Sequence, residues 1–242
     1  MSNRRFLLYW LLAIILFPSL SGQAYGSGAC CAVTKGRSGK INLSVVGSSA
    51  WSHEMIADNT YNLTQQAVML KLGYPFGPGF LLQGQVGMPA ATKLSHKALD
   101  MRGNGGFIYG VGLGYELPQF LKPMEFFASV SYTRSQSSLE RMEGVGADAI
   151  IDQTFFISEV QGLFLGEIDL LSRTALYGGL RLYSGKNQLK DNQTNTKESG
   201  EREGNLSPLL GIRQVIMGNV SLVADVGLGH TKVVGVGAVL SL

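Results

Sequence analysis

Cysteine is nearly absent from this chain of 242 residues: Cys30 and Cys31 are the only two, and they are neighbours. Adjacent cysteines rarely reach the geometry a disulfide needs, so no cross-link staples the fold. Charge is scarce as well, at 15% of residues against roughly 25% in an ordinary soluble domain. The net charge of +3, with no dense Lys/Arg patch beyond the N-terminus, gives no footprint for nucleic acid. Three scattered histidines, His53, His96 and His230, have no metal-ligand spacing. After the N-terminus no apolar run reaches the ~20 residues of a membrane-spanning helix, and no long helical periodicity occurs.

Glycine, by contrast, is abundant, with 32 residues where a usual chain has ~7%. The N-terminus reads as a secretory signal. Arg4 and Arg5 precede the apolar stretch Phe6 to Phe17, Pro18 breaks it, and Gly22-Gln23-Ala24 offers small residues for cleavage. This divides the chain into a signal peptide at 1–24, a periplasmic tail at 25–39 and a folded part at 40–242. Ser27-Gly28-Ala29-Cys30 resembles the end of a lipoprotein cleavage box. Ser27 departs from it, however, and Cys30 lies far beyond the apolar core, which favours an ordinary tail over a lipid anchor.

Period-two patterning dominates the remainder. In Gly105 to Leu117, the residues Phe107, Tyr109, Val111, Leu113, Tyr115 and Leu117 alternate with Gly106, Ile108, Gly110, Gly112, Gly114 and Glu116. That is a strand with two unlike faces. Aromatics close its apolar face at both ends, as on a strand that faces lipid outward and a crowded lumen inward. The alternating glycines make room in the lumen; they do not form a nucleotide-binding fingerprint, which needs a turn entering a helix.

Ten such segments are predicted: 40–51, 63–74, 80–88, 105–117, 125–134, 154–165, 174–183, 206–215, 220–229 and 233–242. Connections after even-numbered strands are short. Those after odd-numbered strands are longer and polar, notably Ser52 to Asn62, Pro89 to Asn104, Ser135 to Asp152 and Ser184 to Asn205, the last expected to be solvated and mobile. The very short Gly229 to Lys232 breaks this trend, and a miscount would leave eight strands. Aromatics sort independently into two belts: Tyr74, Phe76, Phe80, Tyr115, Phe120 and Phe126 at one end, and Trp51, Tyr61, Phe107, Tyr109, Tyr132 and Phe156 at the other. A soluble β-sandwich also uses short alternating strands but has no reason to sort its aromatics.

Together these features resemble the bacterial outer-membrane β-barrel class, with no match to a specific family. The resemblance covers about residues 40 to 242 and implies an all-β, antiparallel up-and-down transmembrane barrel of ten strands, with eight as the alternative. It implies residence in the cell outer membrane, contact with its lipid and lipopolysaccharide, and insertion by the barrel-assembly machinery. That machinery commonly reads a terminal aromatic, where this chain has Leu242 after Val236, Ala238 and Leu240.

The expected inward faces carry Lys71, Glu116, Glu125, Glu159, Arg181, Arg213 and Asp225. Their signs nearly cancel, so a network filling the lumen is favoured over a polar passage constricted by Arg181, Arg213, Glu159 and Asp225. Barrel proteases of this class use paired aspartates with an Asp-x-His element; Asp225 to His230 has the residue types without the spacing. A lipid A deacylase would place Ser two positions after His, which none of the three histidines does. No catalytic, cofactor or metal site is expected. The expected role is structural or surface-interacting, followed by a narrow channel and then an outer-membrane enzyme.

Overall fold

The computed structural model describes residues 40–118, 123–144 and 149–242, apart from the side chains of 203–205. The signal peptide, the tail, Cys30, Cys31 and Phe120 lie outside the described residues. The strands are β1 (Asn42–Ile56), β2 (Asn59–Gly77), β3 (Phe80–His96), β4 (Leu99–Gly103), β5 (Gly106–Leu117), β6 (Glu125–Glu143), β7 (Ala149–Leu171), β8 (Thr174–Asp191), β9 (Lys197–Met217), β10 (Val220–Gly227) and β11 (Lys232–Ser241). Each pairs antiparallel with its neighbours, and β11 returns to β1, Asn42 opposite Ser241 and Trp51 opposite Lys232. The sheet therefore closes into a barrel without edges.

Short β4 and longer β5 both lie between β3 and β6 and occupy one position in the ring. The ring thus has ten positions, as the ten periodic segments predict. The interruption has a local cause. Opposite it, β3 bulges between Pro89 and Ala91, and Pro89 has no N–H for a ladder bond. The Pro89 carbonyl accepts from Gly105 N–H at 3.2 Å. Gly105 and Gly106 take φ of +89° and +132°, conformations that glycine adopts without steric cost.

Lateral facing follows the alternation. Val111, Leu113, Val68, Leu70, Leu72, Leu180 and Leu182 point outward, whereas Phe127, Leu163, Tyr177, Arg181 and Val239 point into the barrel. Outward aromatics meet at one end of the apolar band, where Phe80 lies 5.8 Å from Phe76 and 4.7 Å from Tyr115 between ring centroids. A second group, with Phe107 and Tyr109 at 5.8 Å, marks the other end of the apolar band. Glycines on the inner face make room for large neighbours: a Cβ at Gly114 would strike the Phe127 ring, and one at Gly211 the Tyr177 ring.

The strands run well beyond this band. Crossing a bilayer takes about 9–11 tilted residues, whereas β7 has 23, β9 has 21 and β2 and β6 have 19 each. Most of the polar stretches expected as external loops are therefore strand. Ser52 to Asn62 contains only a two-residue turn, Ala57-Asp58, with φ of 45° and 65°, the signature of a tight hairpin turn of left-handed residues. Ser184 to Asn205 is the paired end of β8 and β9, with Lys186 opposite Glu201 and Lys190 opposite Lys197. These ends form a stem above the apolar band.

The stem inverts the band's polarity. Lys93, Asp100, Arg102 and Glu143 form ion pairs across β3, β4 and β6, with Lys93–Asp100 at 2.5 Å and Arg102–Glu143 at 3.1 Å. Inside, Ile56, Leu63, Leu94, Leu139, Phe155, Ile157 and Leu189 form a buried apolar cluster. The hairpin of β10 and β11 is too short to reach this height. Above it β9 lies directly against β1: Ala57 N–H donates to the Ser199 carbonyl at 3.4 Å, and a Cβ on Gly200 would collide with the Met55 carbonyl. The ring narrows from ten positions at the band to eight in the stem.

Candidate functional site

Between the apolar stem cluster and a second apolar cluster near the end away from the stem (Leu81, Phe127, Leu163, Leu165, Tyr177, Leu209, Val223 and Val239) lies a buried polar layer. Its centre is Arg202 of β9. One guanidinium nitrogen lies 2.7 Å from Glu54 Oε1 on β1, and another pairs with Glu159 on β7. Arg202 also donates to Thr231 Oγ1 at 3.2 Å and Ser52 Oγ at 3.4 Å. The Glu54 carboxylate accepts from Ser52 and, at 2.5 Å, from Asn187 Nδ2 of β8. Glu54 is 1% exposed.

A register shift places Arg202 there. Arg202 and Ser207 are an odd number of residues apart, so strict alternation would put them on opposite faces. The bulge between Tyr183/Gly185 and Asn205/Arg202 supplies the change of phase, and both side chains are buried.

Arg181, also 1% exposed, extends the layer. It donates to the Thr231 carbonyl at 3.2 Å and to Ser207 Oγ at 3.5 Å. Its guanidinium carbon lies 5.1 Å from the Tyr183 ring centroid, and that of Arg202 lies 5.5 Å from the same ring. The Tyr183 hydroxyl accepts from Thr231 N–H at 3.0 Å. Two arginines and two glutamates balance, and the aromatic face attracts both cations. On the far wall Gln65 Nε2 donates to Ser137 at 2.6 Å, Ser135 at 3.3 Å and Thr92 at 3.4 Å.

The four charges expected at a constriction, Arg181, Arg213, Glu159 and Asp225, do not form one. Glu159 and Arg181 belong to the layer just described. Arg213 pairs with Glu167 nearer the end away from the stem, and there Tyr177 donates its hydroxyl proton to Asp225 Oδ2 at 3.1 Å. Lys71 is buried on β2, Glu116 is half-buried at the end of β5, and Glu125 is exposed where β6 begins. Glu54 and Arg202, the most connected charges, fall in segments expected as external loops. A weak signal was present: Glu54 alternates with Ser52 and Ile56, all three on one face.

His53 and His230 meet at the rim, with ring centroids 5.8 Å apart, and His230 Nε2 donates to the His53 carbonyl at 3.0 Å. Asp225 lies deeper in the barrel and is not part of that pair. Among the described residues no group of three His, Cys, Asp or Glu is placed to hold a metal ion. Within the layer each Glu54 oxygen is engaged by cationic or neutral donors, while Arg181 Nε, Asn187 Oδ1 and Gln65 Oε1 are buried without a hydrogen-bond partner.

No protein-family model matches the sequence, and no curated protein matches it. Solved structures do. The translocator domain of the autotransporter NalP from Neisseria meningitidis is 13% identical, with a TM-score of 0.52 over 86% of this chain and 91% of that one. The chain has the fold of an outer-membrane β-barrel. The outer membrane protease OmpT from Escherichia coli is 7% identical, covering 87% of this chain and 100% of that one, at a TM-score of 0.48. Ail of Yersinia pestis, in complex with a heparin analogue, is 16% identical over 84% of this chain and 99% of that one, at 0.39. At these identities the likeness concerns the fold alone.

Proposed function

We propose that this barrel sits in the cell outer membrane as a sealed, non-catalytic structural element that carries an ordered stem above the surface for contacts with other molecules. The observation that carries the reading is the layer joining Glu54, Arg202 and Glu159 across β1, β9 and β7, lying between two apolar clusters. Moving an ion past it would require separating buried, paired charges, at a cost of several kcal/mol. The apolar band fits outer-membrane lipid, and the polar outer surface of the stem suits the lipopolysaccharide headgroup region. In this reading the alternating strand ending Val236, Ala238, Leu240 and Leu242 is what the assembly machinery engages.

Planar-bilayer recording tests the seal. Protein folded in detergent, with heat-modifiable migration to establish the barrel, is expected to give no discrete conductance steps after insertion. Stepwise conductance that changes on Arg181→Ala would overturn the sealed reading in favour of a narrow channel.

A further inference from the structure

A cavity of about 280 Å³ opens at the outer mouth of the stem, above the apolar cluster. Its apolar lining is Leu99, Met101, Met142 and Leu189. Sulfur-containing and aliphatic side chains of this kind accommodate an apolar body without fixing its shape. The size, just below the usual range for ligand cavities, suits a small monocyclic molecule.

Most polar groups around the cavity accept hydrogen bonds, and the Tyr61 and Thr196 hydroxyls can also donate. Glu198 and Asp191 bring two carboxylates, and neither Lys nor Arg lines the cavity. Lys190 and Lys197 follow and precede the inward positions Leu189 and Glu198, so alternation turns both away. Gln153 donates its amide hydrogen to Asp191, while its Oε1 is buried without a hydrogen-bond partner. His96, which donates Nδ1–H to the Thr60 carbonyl at 2.8 Å, also lines the cavity. Tyr61 packs against His96 at 5.0 Å between ring centroids and adds an aromatic face to the wall.

We infer that this mouth binds a small organic cation, a primary amine carried on an apolar or aromatic body. An ammonium group supplies only donors, which suits the Glu198 carboxylate and the Asp191 carboxylate that Gln153 orients. The aromatic ring of Tyr61 favours the same charge, and the methionine and leucine lining takes the hydrocarbon. Backbone N–H groups of Thr194 and Gln193 hold the Asp191 carboxyl below the usual carboxylate range, so it is ionised at neutral pH. Burial, then the neighbouring Glu198, raises the Tyr61 phenol, which stays neutral. The inference is independent of whether the lumen below is sealed.

Calorimetric titration of the full chain, folded in detergent at neutral pH, tests it with 2-phenylethylamine and its uncharged counterpart 2-phenylethanol. Saturable binding of the amine is expected, with the alcohol weaker by about tenfold or more, the scale of one charge-assisted contact. Glu198→Gln should weaken the amine and leave the alcohol unchanged. Gln153→Leu, a second variant, should weaken the amine while keeping heat-modifiable migration. Equal affinity for amine and alcohol, no saturable binding of the amine, or indifference of amine binding to both variants would overturn the inference.

Discussion

Arg202 holds two buried glutamates at once, so its removal is not the loss of one contact. Arg202→Ala leaves Glu54 and Glu159 facing each other in the lumen with their common cation gone. Breaking a buried pair in this way costs about 3–5 kcal/mol. The expected outcome is a lowered midpoint for the heat-driven shift in gel migration, with a comparable fall in unfolding free energy in urea. Changing Glu54 and Glu159 to Gln in the same variant should recover much of the loss, because the uncompensated charge disappears. If Arg202→Ala unfolds at the wild-type midpoint, the layer is not holding the barrel together. Individual residues were legible in the sequence only where alternation ran unbroken. Glu159 and Arg181 fall inward between outward Val160, Leu180 and Leu182. Arg202 does not, because the bulge beside Gly185 changes the phase and no periodic count carries through it.

At the scale of the element, the misreading concerned strand length. A stretch such as Lys186 to Asp191 (KNQLKD) looks like loop because its outward positions, Lys186, Gln188 and Lys190, are polar, as a solvated outer face requires. Its inward positions are Asn187 and Leu189, both buried, and a single leucine among polar residues is a faint sign of alternation. The hairpin closing β8 and β9 is fastened by Asp191, whose carboxylate accepts from Gln193 N–H and Thr194 N–H at 2.9 Å each. Those backbone donors hold its carboxyl below the usual range. A depressed carboxyl contributes stability above its unfolded value and loses it as pH falls through the folded value. Amide exchange across residues 186–201, corrected for intrinsic rates, should therefore show strand-like protection at neutral pH. Protection at the turn should fall once pH drops below the ordinary carboxylate range of about 3.9. Asp191→Ala should reduce turn protection at neutral pH and flatten that dependence. Uniform lack of protection at every pH would instead describe a mobile loop.

Across the whole molecule, the two ends bury their apolar residues in different ways. In the band, apolar side chains occupy the outer face and polar ones share the lumen. In the stem, the apolar cluster around Leu139 and Phe155 is internal and the ion pairs of Lys93, Asp100 and Arg102 are external. The solvent of the outer face changes along the same strands, from lipid to water, without a change in their antiparallel pairing. The class of fold was legible because lipid demands a regular apolar face between aromatic belts; the stem was not, because water makes no such demand on an outer face. This fixes an asymmetric response to added charge. Val111 is 65% exposed and lies midway between Phe107 and Tyr115 on β5. Val111→Arg should cost roughly 2–4 kcal/mol if it occupies the bilayer midplane. Ser199→Arg, on the stem's water-facing surface, should cost almost nothing. Folding free energies in phospholipid vesicles, compared with the same variants in detergent, separate the two. The Val111 penalty should be larger in vesicles, where the arginine cannot be rewetted as easily as at a micelle surface. Equal costs for the two variants in vesicles would mean that the apolar band does not define the membrane's position.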